Sequence, residues 1–107
     1  MNENERIRLA LEQEGDYPFK VGFEGTGIEA LHTDEPAPLG EGAGPNPSAL
    51  LLAGVANCLS ASLVFALRKF KNAPGPIRAE ITARQERNAQ GRWRIPRVEA
   101  VITLADR

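Results

Sequence analysis

The sequence predicts an α+β fold in which an antiparallel sheet, built from two hairpins, packs on one long central helix. Three observations carry the prediction. A stretch from Ala49 to Leu67 holds neither a charge nor a proline, which marks a long helix. Segments on both sides of it alternate apolar and polar residues, the period of a half-buried strand. Those segments come as neighbours in pairs instead of alternating with helices, so the sheet is antiparallel and not a wound α/β sheet.

The elements follow in order. Residues 2–13, NENERIRLALEQ, read as a short helix, with Ile7, Leu9, Ala10 and Leu11 on its apolar side. Gly15-Asp16-Tyr17-Pro18 ends it. Phe19–Phe23 is a strand with Phe19, Val21 and Phe23 on one face, Glu24–Gly27 a turn, and Ile28–Leu31 the return strand of the hairpin. Asp34–Pro47 is too dense in proline and glycine for regular structure. Asn46 is a good N-cap and Pro47 suits the first helical turn, where its missing N–H is not needed. Arg68, Lys69 and Lys71 gather at the other end, where cations complement the helix dipole, and Asn72-Ala73-Pro74-Gly75-Pro76 stops the helix.

This helix is apolar nearly all round, which predicts burial on most sides. Its length and basic flank would also suit a membrane span, but Gly54, Asn57, Ser60 and Ser62 through its middle favour the core of a soluble domain. Beyond it, Ile77, Ala79, Ile81 and Ala83 face one way and Arg78, Glu80, Thr82 and Arg84 the other. After a turn at Glu86–Gly91, Trp93–Leu104 reads as the second strand of this hairpin. Pro96 within it demands a bulge or an edge position. Four short strands cannot cover a helix that is apolar on every side, so a second copy, a further C-terminal part such as a second helix, or both are expected to complete the fold.

At 107 residues the chain is expected to form a single domain, 1–107, and 42% hydrophobic with 25% charged residues is ordinary for a soluble protein. A net charge of −1 argues against a nucleic acid as partner. The N-terminus is acidic and polar, unlike a signal peptide, and one cysteine allows no internal disulfide. Both suit a cytoplasmic protein. The charge is divided: residues 1–44 carry ten acids against three bases, residues 45–107 four acids against ten bases. Such halves attract one another, within a chain or between two copies.

The candidate chemistry is sparse. Cys58 is the chain's one thiol and His32 its one histidine, which gives no metal site and no implied cofactor. His32 reads as a hydrogen-bonded or solvated residue at a strand end, not as a catalytic base. Gly25-Thr26-Gly27 is a hairpin turn and not a phosphate loop, because no helix follows it. Arg84, Arg87, Arg92, Trp93, Arg94 and Arg97 could grip a nucleic-acid backbone, but a solvated face or a contact to the acidic half is the simpler reading.

The run Asp34–Cys58, DEPAPLGEGAGPNPSALLLAGVANC, followed by the rest of a long helix and a strand hairpin, resembles the OsmC/Ohr superfamily of osmotically induced and organic-hydroperoxide-resistance proteins. That family's signature is a glycine- and proline-bearing loop opening a helix with a cysteine about three turns in. Gly42, Gly44, Pro45, Pro47, Leu50-Leu51-Leu52-Ala53 and Cys58 stand in place for it, and a looser match runs over Phe19–Leu104. The resemblance implies an intertwined homodimer whose strands wrap a pair of central helices, with the active sites at the interface. It also implies a chemistry, the thiol-dependent reduction of organic hydroperoxides with Cys58 as the nucleophile.

The sequence departs from that pattern in three places. It has no second cysteine to resolve the oxidised thiol. Ser48 and Ala49 stand where the family places a glutamate, and Phe19–Leu31 offers only Lys20 where the family places an activating arginine. A small thiol or a second molecule would then resolve Cys58, and an arginine of the 84–97 hairpin could activate it across a dimer. The alternative is a dimer without catalysis, binding a hydrophobic small molecule at an interface lined by Leu51, Val55 and Leu59.

Overall fold

The computed structural model describes residues 6–73 and 75–105. The chain divides into two compact units between Leu50 and Leu51. The sign of the charge changes across the same boundary, because residues 45–50 carry no charge at all.

The first unit is built on a three-stranded antiparallel sheet of β1 (Leu9–Gln13), β2 (Phe19–Phe23) and β3 (Leu31–Thr33), with β2 in the middle. Leu9 pairs with Phe23, Leu11 with Val21 and Gln13 with Phe19; Val21 and Phe19 pair in turn with Leu31 and Thr33. One face of the sheet therefore collects Leu9, Leu11, Phe19, Val21, Phe23 and Leu31. The other carries ion pairs, Lys20 to Glu12 at 3.5 Å and His32 Nδ1 to Glu14 at 2.8 Å.

Two sequence expectations are corrected here. Of residues 2–13, the described part from Leu9 onward is a strand and not a helix; residues 2–5 lie outside the described residues. Ile7, Leu9 and Leu11 recur with period two, and pairing to β2 decides between that pattern and the helical one. Gly15–Pro18 is thus the turn of a hairpin, closed by Glu14 N–H donating to Pro18 C=O at 2.9 Å. The return strand lies at Leu31–Thr33 instead of Ile28–Leu31. The Thr26 hydroxyl donates to Phe23 C=O at 2.7 Å and accepts from Ile28 N–H at 3.1 Å, so the chain is still turning where the strand was expected.

Helix α1 spans Pro47–Lys69. Asn46 caps it, its Oδ1 accepting from Ala49 N–H at 2.8 Å. At the far end Lys71 takes a left-handed conformation, φ 64°, and Asn72 N–H reaches back to Leu67 C=O at 2.9 Å while Lys71 N–H bonds Arg68 C=O at 3.0 Å. This is a Schellman closure made with lysine where glycine is usual. The helix has the length and apolarity to cross a membrane, with mean hydropathy 2.1 over its 18-residue window. Core helices of soluble proteins meet the same criterion.

In the second unit β4 (Ile77–Ala83) pairs with β7 (Val98–Leu104), Ile77 opposite Leu104 and Ala83 opposite Val98. The alternation holds along β4, with Ile77, Ala79, Ile81 and Ala83 half-buried and the residues between them exposed. The single strand expected over Trp93–Leu104 is broken at Ile95–Arg97, around Pro96. Its first part, β6 (Trp93–Arg94), pairs with β5 (Glu86–Arg87) in a small separate hairpin. The fold is α+β with one long helix, but its strands form three small antiparallel sheets and not one sheet of two hairpins.

Burial on most sides of α1 is not realised within one chain: none of its residues is buried. Val21 is the sole buried hydrophobic side chain among the described residues.

Candidate functional site

Cys58 lies eleven residues after Pro47, about 16 Å along the helix axis. At that depth the partial charge of the helix N-terminus contributes little, because its influence fades within the first turn. The thiol is exposed, where the sequence predicted a buried one. It has no hydrogen-bond partner among the described residues.

Its surroundings on the helix are ordered. Leu51, Val55, Cys58, Ser62 and Phe65 follow one another at spacings of four, three, four and three residues, and all are exposed. That is the four-three spacing of a coiled-coil seam. Cys58 is the central position of this seam. The half-buried residues Leu52, Ala56, Ser60, Leu63 and Leu67 follow a second line along the helix. Ser60 Oγ on that line is buried without a hydrogen-bond partner among the described residues. Leu51, Val55 and Leu59, the expected lining of an apolar pocket, stand exposed on the helix surface.

The loop that leads into the helix is fixed by a residue the sequence reading did not single out. Asp34 is buried, and its carboxylate accepts three backbone N–H groups, from Glu35 at 2.7 Å, Glu41 at 3.1 Å and Ala43 at 3.2 Å. The hydrogen bond from Ala43 leads in holding its pKa below the ordinary 3.8; burial opposes it, and the bonds from Glu41 and Glu35 reinforce it. The loop folds so tightly around this carboxylate that a side chain at Gly40 would strike Asp34 Oδ1 and the Glu35 carbonyl. One at Gly44 would strike the His32 carbonyl. Of the loop's three glycines, Gly42 alone takes a positive φ, at 68°. An aspartate directly before a run of prolines and glycines was the available signal.

Beside this loop the first unit holds a cavity of about 280 Å³, lined by Leu11, Tyr17, Phe19, Val21 and Leu50, with Thr33, Asp34 and Glu35 at its polar edge. His32, as expected, is tied to Glu14 at the edge of the sheet. Among the described residues no three or more His, Cys, Asp or Glu gather as metal ligands would.

The arginine hairpin has its own order. Asn88 Oδ1 accepts from Gln90 and Arg92 N–H and closes the turn. Arg87 lies over the Trp93 ring, 4.5 Å from its centroid, and donates to Gly91 C=O at 3.1 Å. Arg84 pairs with Glu86 at 3.9 Å and Arg97 with Glu99 at 3.5 Å. Arg92 and Arg94 have no ion pair with any described residue.

Neither a known family profile nor a curated protein sequence matches the chain. Among solved structures, a Psychrobacter arcticus protein described as an osmotic stress induced and detoxification response protein superposes with a TM-score of 0.79. The alignment covers 92% of this chain and 70% of that one, at 21% identity. The fold is OsmC-like. The likeness takes in nearly the whole chain, so the strands as well as the loop and helix follow that architecture. At this identity it speaks to the fold and leaves the chemistry to the residues.

Proposed function

We propose that this OsmC-like protein reduces organic hydroperoxides through Cys58, as a homodimer in the cytoplasm. The observation that carries the reading is the position of the thiol, central on an exposed apolar helix seam that opens from a capped, loop-anchored N-terminus. A second copy laid on that seam would enclose Cys58 among leucine, valine and phenylalanine side chains, an environment suited to an apolar peroxide.

In the reaction the Cys58 thiolate attacks the terminal peroxide oxygen. The O–O bond breaks, the alkoxide takes a proton and leaves as an alcohol, and the sulfur is left as a sulfenic acid. A thiol reductant then forms a mixed disulfide with release of water. A second thiol regenerates Cys58 and leaves as the oxidised disulfide. Cys58 is the chain's one cysteine, so both reducing equivalents come from outside. The activating cation would come from the second copy, and the arginines of the 84–97 hairpin are its candidates.

The test is consumption of an organic hydroperoxide with dithiothreitol, comparing the native chain with Cys58→Ser. Turnover is expected in the native protein and a fall to the uncatalysed rate in the variant. No turnover in either would overturn the proposal. The lack of an arginine in Phe19–Leu31, where the resembling family places its activating cation, favours one further reading, a dimer that binds a hydrophobic small molecule at the same seam. An apolar ligand retained through purification, seen by native mass spectrometry without turnover, would select it.

A further inference from the structure

The cavity of the first unit and the arginine hairpin of the second are matched in size, apolar character and charge. The cavity is walled by Tyr17, Phe19, Val21 and Leu50 and edged by Asp34 and Glu35. Glu35 has no ion-pair partner among the described residues. At about 280 Å³ it lies just below the ~300–1,000 Å³ usual for sites that take a whole small-molecule ligand. A single large side chain is the better match. The hairpin offers one. Trp93 is 61% exposed, and Arg87, directly opposite it in the hairpin, backs its ring on one side.

We infer that Trp93 of one copy inserts into the first-unit cavity of a second copy, with Arg87, its cross-strand neighbour on the same face, carried to the acidic edge at Glu35. Three features favour a second copy as the occupant. The unit bearing the cavity carries ten acids and three bases, and the unit bearing the hairpin ten bases and four acids. The hairpin is held in shape before it meets anything, by the Asn88 turn and the Arg87–Trp93 stack, so little ordering is lost on docking. Tryptophan and arginine are also the residue types that anchor protein interfaces, an indole burying ~150–250 Å². The inference rests on the two-copy reading above and adds to it a contact away from the Cys58 seam.

Trp93 is the chain's one tryptophan, so its fluorescence reports on this contact without interference. Acrylamide quenching is followed over a dilution series of the full chain, with the mass measured in parallel by sedimentation. Shielding of Trp93 by about threefold in the dimer, lost on dilution to single chains, is the expected result. Reversing the charge with Arg87→Glu should weaken association about tenfold, and adding Glu35→Lys should recover part of it. A stable dimer in which Trp93 stays as quenchable as in single chains overturns the inference and leaves the two-copy reading standing. Single chains at every concentration overturn both. Shielding that appears only with a single-stranded oligonucleotide overturns it in favour of nucleic acid.

Discussion

Asp34 shows how one side chain can fix a loop that contains almost no regular structure. Its three N–H donors favour the charged carboxylate, so its pKa is lower in the folded chain than in the unfolded one. The stability it contributes is therefore complete above its unfolded pKa and is lost as pH falls through the lowered folded value. The thermal midpoint, followed by circular dichroism, should hold near neutrality and fall as pH drops below about 4. Asp34→Asn keeps one carbonyl oxygen for three donors, so its midpoint should be lower at pH 7 and its acid limb flatter. An unchanged acid limb would show that other carboxylates dominate it. Ser60 is the opposite case, a buried hydroxyl with no partner among the described residues. Ser60→Ala removes an unsatisfied group and should stabilise by about 1 kcal/mol, a rise of several degrees in the midpoint.

At the scale of elements, what was legible in the sequence was local. Asn46 and Pro47 announce the start of α1 because a cap needs only its own few residues, and the observed bond to Ala49 N–H matches that reading. Asn46→Ala should cost about 1 kcal/mol in thermal unfolding, and Asn46→Asp much less, since aspartate can accept the same bond. The alternation of β4 was equally plain, because its residues decide their own face. Leu9–Gln13 was not, since five residues fit a helical or a strand pattern until β2 pairs with them. The bounds of β3 were hidden for a related reason: the Thr26 hydroxyl prolongs the turn, and nothing in Ile28–Leu31 announces it. Pro96 marked the break between β6 and β7 but could not say that β6 would turn to β5. Cys58 was located by its distance from Pro47, whereas its exposure depends on what covers the helix.

For the whole molecule the decisive fact is how little one chain buries. Burial of apolar side chains is what offsets the entropy of ordering the chain. With Val21 alone fully buried among the described hydrophobic residues, a lone chain leaves much apolar surface half-covered or exposed. A second copy across the α1 seam would supply the missing burial, and stability would then depend on protein concentration. This makes Phe65→Glu informative. Phe65 is 72% exposed in the single chain, so a fold complete by itself would tolerate the change within about 0.5 kcal/mol. If the seam closes on a partner, the same substitution places a charge in an apolar interface. It should lower the midpoint well beyond that range and shift the sedimenting species to a single chain. Loss of dimer and loss of stability should appear together, and recede together as the native chain is concentrated. A Phe65→Glu protein that sediments and melts like the native one would show that the helix seam faces solvent, and Cys58 with it.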